Sequence, residues 1–291
     1  MSYRIVTDTS ANLPTPLAEK ENIEIVPLSY HIEGEEYTCL DTETFDDEAY
    51  YDRMKKGEKI TTSQINPQKY IEYTEPILQA GEDILFIGMS SGISGSLASG
   101  AIAREQLLED YPDRTIRIVD SMGASLGEGL LVLRAIECRK AGMDLNETAD
   151  LLIKVREKVC QIFTVDDLHH LRRGGRLSNA AAIVGTLLHI KPLLKGNEKG
   201  EIVSVEKLRG RKAVIARLAE RFSQLAVEPQ KHLTAISHCA CRGDADTLAA
   251  MLKERGAGEI LIVKHEPVTG SYLGPGALAL YFFGDENVRL E

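Results

Sequence analysis

Two short apolar runs constrain the fold most: Ile84–Met89 and Ile116–Val119. Each is followed by a turn of small, hydroxyl-rich residues and then by a helical stretch. Apolar runs of this length, bounded by turn residues, are typical of strands covered on both faces, as in parallel sheets. Parallel strands need a crossover between them, most often a helix, so strand, turn and helix must alternate in layers. Tyr3–Asp8 reads as a further strand and Ile23–Ile32 as another, with Glu33-Gly34-Glu35 turning a hairpin into Tyr37-Thr38. Asp46–Lys56 is helical, with acidic residues first, basic residues last and Gly57 as the stop; Pro67 opens a helix that ends before Gly81. Further helices are expected over Ala98–Glu109, up to Ala141, and over Asn146–Lys158. The pattern then changes. Gln161–Val165 is strand-like, Ala180–His189 helical, and Lys191–Leu208 forms two strands around a glycine-bounded turn. Helices over Arg211–Ala226 and Asp244–Arg255 alternate with strands over Leu233–Cys239, Glu259–Lys264 and Ala277–Phe283. The expected class is α/β: an N-terminal parallel-sheet α/β domain over 1–158 with carboxylate-binding loops, and a C-terminal mixed α+β domain over 159–291.

Composition narrows the function. Of the 291 residues, 43% are hydrophobic and 27% charged, and the formal net charge is -10. That balance disfavours nucleic acid, which needs a basic footprint, and favours a small molecule or a protein as partner. The opening Met1-Ser2-Tyr3-Arg4 does not resemble a signal peptide, and no apolar stretch is long enough to cross a bilayer. The five scattered cysteines fit a reducing compartment, so a cytoplasmic location is expected. Cys239-Ala240-Cys241 beside His238 lacks a second ligand pair, and no metal is expected.

Three polar loops carry the chemistry: Thr61-Thr62-Ser63-Gln64, the turn Ser90-Ser91-Gly92-Ile93-Ser94-Gly95-Ser96, and Asp120-Ser121 through Ser125. The second and third lie at the carboxyl ends of the expected parallel strands, the edge where open α/β sheets bind ligands. The second also precedes a helix, whose free N–H groups favour an anion. A bland reading, turn formers and helix caps, accounts for any one of these hydroxyls. Their convergence would make an anion site without naming the anion. Gly88-Met89-Ser90-Ser91-Gly92 also fits G-x-S-x-G after a strand, which would make Ser90 the nucleophile of a serine hydrolase, with His238 or His265 as base. Against that, extra loop separates Ser90 from the helix, and no oxyanion segment precedes it. No phosphate loop or dinucleotide fingerprint is present. His169-His170 lacks carboxylates at metal spacing. Arg172, Arg173 and Arg176 cluster in a glycine turn, and Arg209 and Arg211 flank Gly210, either as a solvated basic face or as a site for phosphate or an acidic partner.

At these residues the chain resembles the DegV family, whose characterised members are fatty-acid-binding subunits of bacterial fatty acid kinase. The resemblance runs in order from Val6-Thr7-Asp8-Thr9-Ser10 through Thr62-Ser63-Gln64, the Ser90–Ser96 turn and Asp120-Ser121. It continues through Leu171-Arg172-Arg173-Gly174-Gly175-Arg176-Leu177-Ser178 and Arg209-Gly210-Arg211 to Gly274-Pro275-Gly276. It implies a long-chain fatty acid in a buried tunnel as the only ligand, with no cofactor and no catalysis by this chain. Thr62 and Ser94, with Ser63, Gly95 and Tyr272, would hold the carboxylate. A cytosolic fatty acid kinase subunit would phosphorylate that carboxylate, facing Arg172, Arg173, Arg176, Arg209 and Arg211. Loading and unloading the lipid allow transient membrane contact. One departure stands out: Tyr272 occupies the place of the family's His in GTHTGPG, and a tyrosine donates a hydrogen bond but cannot become cationic. A third reading, an interaction protein with an empty pocket, differs in one observable: no lipid would be extracted from it.

Overall fold

Burial on both faces puts the apolar run after residue 82 inside the first sheet. The computed structural model describes residues 3–178, 190–285 and 288–290. The N-terminal part runs β1 (Tyr3–Asp8), α1 (Thr15–Lys20), β2 (Glu24–Val26), β3 (Ser29–Ile32), β4 (Glu35–Thr38), α2 (Asp47–Lys55) and β5 (Ile60–Ser63). It continues through α3 (Pro67–Gln79), β6 (Asp83–Gly88), α4 (Ser96–Asp110), β7 (Ile116–Asp120), α5 (Leu126–Lys140) and α6 (Leu145–Val155). Strands β2-β1-β6-β7 form a four-stranded sheet, parallel at every pairing. The loops after β6 and β7 therefore leave the same edge, side by side.

The helices begin where local chemistry can satisfy their free N–H groups. Asp46 and Asn66 accept from the third residue of α2 and α3, and Asp144 and Glu147 close a reciprocal capping box on α6. α5 differs from the rest. It is buried nearly all round, through Leu126, Leu130, Leu131, Val132, Ala135 and Ile136, as expected of a helix covered on more than one side. It packs on β1 and β6 of the first sheet and also on a second sheet.

That second sheet is built from β8 (Val159–Thr164), β9 (Ile190–Gly196), β10 (Ile202–Arg209), β11 (Thr234–His238), β12 (Ile260–Lys264) and β13 (Leu278–Phe283). Its order is β10-β9-β8-β13-β11-β12, and only β11 and β12 run parallel. α7 (His169–Arg173), α8 (Arg211–Leu225), α9 (Arg242–Glu254) and α10 (Pro267–Leu273) complete the described helices. Strand alternation divides the sheet's faces. Leu278, Leu280 and Phe282 join Ile236 in a core under α8 and α9, while Ala279 and Tyr281 join Ala235 in the core shared with the first sheet. No helix among the described residues is long and apolar enough to cross a membrane.

Several expectations are corrected. Ile23–Ile32 is not one strand: Pro27 carries no N–H for a ladder, and the chain breaks there into β2 on the parallel sheet and β3 on a separate antiparallel sheet, β4-β3-β5. Thr61-Thr62-Ser63 is not a loop but most of β5, with Thr62 opposite Tyr30 of β3. Arg172 and Arg173 lie not in a flexible turn but in the last turn of α7, where cations oppose the helix dipole favourably. α10 has no counterpart in the sequence reading. The helix expected over Ala180–His189 lies outside the described residues.

Candidate functional site

The three hydroxyl-bearing segments meet. Thr62, Ser63 and Gln64 at the end of β5, Met89, Ile93 and Ser94 after β6, and Met122 to Ser125 after β7 line one cavity of about 360 Å³. Phe163 and Gln161 from β8, Tyr281 from β13, and Val268, Tyr272 and Leu273 from α10 close it from the other sheet. The volume lies within the roughly 300–1,000 Å³ of ordinary small-molecule sites. Leu28, Met89, Ile93, Phe163, Leu171, Ile202, Val268 and Leu273 supply a largely apolar wall. A wider groove of about 760 Å³ opens beside α1 and α5, but its lining mixes lysines with glutamates and includes no serine or threonine. Size alone would favour the groove; the convergence of donors favours the cavity.

At one side of the cavity the Thr62 Oγ1 and Tyr272 hydroxyl lie 2.5 Å apart. The Arg176 guanidinium sits over the Tyr272 ring, 4.7 Å from its centroid, and donates to the carbonyls of Ile93 at 3.1 Å and Gly174 at 2.6 Å. An arginine so held keeps a positive charge fixed beside the two hydroxyls. Ser94 Oγ accepts from the Ser96 N–H at 3.2 Å at the start of α4. Gly95 does not line the cavity. A Cβ there would meet the Gln64 side-chain oxygen. Thr62, Ser94 and Tyr272 are thus brought together, with Gly95 directly behind; Ser63 also lines the cavity, but it is exposed and its Oγ lies 2.8 Å from His31 Nε2.

Ser90 is buried and faces elsewhere. Its Oγ donates to the Gly200 carbonyl at 2.8 Å and accepts from the Gly92 N–H at 3.1 Å. Gly200, with φ +71°, lets the turn between β9 and β10 lie against that hydroxyl; a Cβ at residue 200 would collide with Ser90 Oγ. Among the described residues neither a histidine nor a carboxylate bonds Ser90, so the nucleophile–base contact a hydrolase needs is not made. Arg289 pins the same region. It is buried and donates to the carbonyls of Met122 at 2.8 Å, Asn197 at 3.3 Å and Arg156 at 3.1 Å, and burial pushes its guanidinium down to about 10.

Some cavity residues were not legible in advance. His265, Thr269 and Tyr281 line it, and Gln161 bridges its wall by accepting from the Ala124 N–H at 3.3 Å and donating to the Met122 carbonyl at 3.3 Å. Burial pushes the His265 imidazole down to about 3 and the Tyr281 phenol up to about 12. Glu266, fully buried, caps α10 by accepting from the Val268 N–H at 2.8 Å and the Thr269 N–H at 2.5 Å; burial raises its carboxyl to about 7. The advance signals were strand alternation, which puts Tyr281 and Ala279 on one face, and the position of His265 directly after a strand.

The arginines divide. Arg176 points into the cavity. Arg211 is tied to Asp244 at 2.8 Å and Asp166 at 3.5 Å, between β10 and α9. Arg172, Arg173 and Arg209 are exposed. Cys239 is buried, and Cys241 Sγ donates to the Ala277 carbonyl at 3.2 Å.

The family model described as "Uncharacterised protein, DegV family" matches residues 2–285. The chain belongs to the DegV family. A DegV domain-containing protein of Clostridium perfringens is 39% identical over 284 residues, which is 97% of this chain and 98% of that one. Among solved structures, a fatty acid binding DegV family protein of Streptococcus agalactiae is 31% identical, with a TM-score of 0.85 and coverage of 98% of this chain and 99% of that one. A DegV family protein of Ruminococcus gnavus, refined with vaccenic acid, is 27% identical, with a TM-score of 0.87 and coverage of 97% and 99%. The DegV fold, an N-terminal parallel sheet with helices and a C-terminal mixed sheet, is the one described above.

Proposed function

We propose that the chain binds one long-chain fatty acid in the cavity between its two sheets, with the carboxylate at Thr62, Ser63, Ser94 and Tyr272, and presents it to a cytosolic partner kinase for acyl-phosphate formation. The observation that carries this is the pairing of a fixed cation and two hydroxyls at one side of a cavity whose remaining wall is largely apolar. Each buried methylene contributes about 0.8 kcal/mol, so about ten of them supply roughly 8 kcal/mol before ordering costs. A buried, unpaired carboxylate would cancel much of that, which is why donors must stand at one end. The vaccenic acid refined with the Ruminococcus gnavus relative fits this division. The two-domain organisation, 1–158 and 159–291, belongs to the proposal, since the cavity draws its lining from both parts. A hydrolytic role for Ser90 has no supporting contact.

In this reading Arg172, Arg173 and Arg209 face the kinase or the phosphoryl group, whereas Arg176 belongs to the carboxylate end and Arg211 to the scaffold. Mass spectrometry of an organic extract of the purified protein tests the lipid: a stoichiometric fatty acid is expected, and its absence after incubation with fatty acid would defeat the proposal. Arg173→Ala and Arg209→Ala should keep the lipid while slowing acyl-phosphate formation with a fatty acid kinase and ATP. Release of lipid by either variant would move that arginine into the carboxylate site.

A further inference from the structure

A cavity built only for a plain alkyl chain gains nothing from hydrogen-bonding groups on its wall. Yet a second polar cluster faces this cavity, separate from the Thr62–Tyr272 pair. Ser125, His265, Thr269 and Tyr281 all line it, and Ser237 stands behind them as a hub. Ser237 Oγ lies 2.8 Å from His265 Nδ1, 3.2 Å from the Tyr281 hydroxyl and 3.3 Å from Ser125 Oγ, while His265 Nε2 lies 2.8 Å from Thr269 Oγ1. Ser125, Ser237, His265 and Tyr281 are all at most 5% exposed. Ser125 is held there at φ +52°, a backbone conformation that non-glycine residues rarely adopt.

The network's chemistry limits what it can recognise. Ser237 has one proton and three neighbours, so it donates to one of them and accepts from the other two. If His265 is protonated on Nε2, Ser237 donates to Nδ1, and Ser125 and Tyr281 turn their protons inward and show lone pairs to the cavity. If His265 is protonated on Nδ1, it donates to Ser237, whose proton passes to Ser125 or Tyr281, freeing one of their protons for the cavity. The same wall can therefore present a donor or an acceptor. Its imidazole is kept neutral by burial, so the wall holds no charge to match a second carboxylate or an amine. A hydroxyl group, itself both donor and acceptor, matches such a wall.

We propose that Ser125, Ser237, His265, Thr269 and Tyr281 form a second polar subsite that reads a hydroxyl group on the bound acyl chain, so that the cavity prefers a hydroxylated long-chain acid to its unsubstituted counterpart. This rests on the fatty-acid reading above and specifies its ligand. The step is binding alone, with no bond made or broken.

The test titrates delipidated protein with stearate and with a series of monohydroxylated stearates differing in the position of the hydroxyl. At least one position should bind about two- to tenfold more tightly than stearate, the range of one net neutral hydrogen bond. Tyr281→Phe and Ser237→Ala should each bring that ratio back toward one; reading the ratio cancels any general loss of affinity. Ser125→Ala gives a third reading should either variant fold poorly. Stearate binding as well as or better than every isomer, or a preference that survives all three substitutions, overturns the subsite and leaves the fatty-acid reading standing. Binding of neither stearate nor any isomer overturns both.

Discussion

Tyr272→Phe isolates one hydroxyl. The variant keeps the ring on which Arg176 rests, 4.7 Å from the guanidinium, so the cation–π contact persists and only the oxygen leaves. Two effects then oppose each other. The carboxylate of a bound fatty acid loses a donor, and a hydrogen bond to a charged group contributes about 1.5–3 kcal/mol. The ligand-free protein also loses its 2.5 Å contact between Thr62 and Tyr272, a neutral bond worth about 0.5–1.5 kcal/mol that the ligand would otherwise have to replace. The net is about 1–1.5 kcal/mol, a five- to tenfold rise in Kd. Thr62→Val, nearly isosteric, should produce a loss of the same size by the same route. Displacement of a fluorescent fatty-acid probe measures both, with urea midpoints taken in parallel. A Kd within twofold of the parent for both variants, with stability intact, would show that the carboxylate does not sit between these hydroxyls.

Other outcomes follow from buried groups. Glu266 ionises near 4.5 in the unfolded chain and only near 7 when folded, so its contribution is complete below pH 4.5 and is lost as pH rises through 7. Glu266→Gln should therefore gain about 3 kcal/mol relative to the parent between pH 4.5 and 7.5, read from urea unfolding at each pH, and a constant difference would refute the assignment. Gly200→Ala should destabilise the fold by about 1–3 kcal/mol or more through overpacking against Ser90, and adding Ser90→Ala should recover part of the loss; additive effects would refute the contact.

The strand after residue 82 was legible because it is apolar along its length, and two helices because acidic residues lead and Gly57 ends α2 while Pro67 opens α3. The convergence of Ser94 and Ser125 was legible as far as strand direction carries, since parallel neighbours release their loops at one edge, whereas Thr62 comes from the separate antiparallel sheet. What sequence could not carry was partnership at long range. Nothing near Ser90 indicates that the Gly200 carbonyl, 110 residues later, accepts its hydrogen bond. The signature around Arg176 reads as a basic surface turn, yet Tyr272 draws that side chain into the cavity while Arg172 stays outside. Pro27 was visible, but its consequence, a change of sheet between β2 and β3, depends on partners not yet met along the chain. The His265 network was hidden because its members come from β11, β13, α10 and two loops, and none forms a motif with its neighbours.

The clamp made by Arg289 ties the cavity to the far end of the second sheet's connections. Its guanidinium joins the loop after β7 to the turn after β9, and both form the wall around a cavity lined from Leu28 to Tyr281. Contacts so distant along the chain carry a loop-closure cost before they are rewarded. Arg289→Ala would keep every hydroxyl loop and still leave this wall unpinned. The shape of the cavity then rests on a side chain that does not line it.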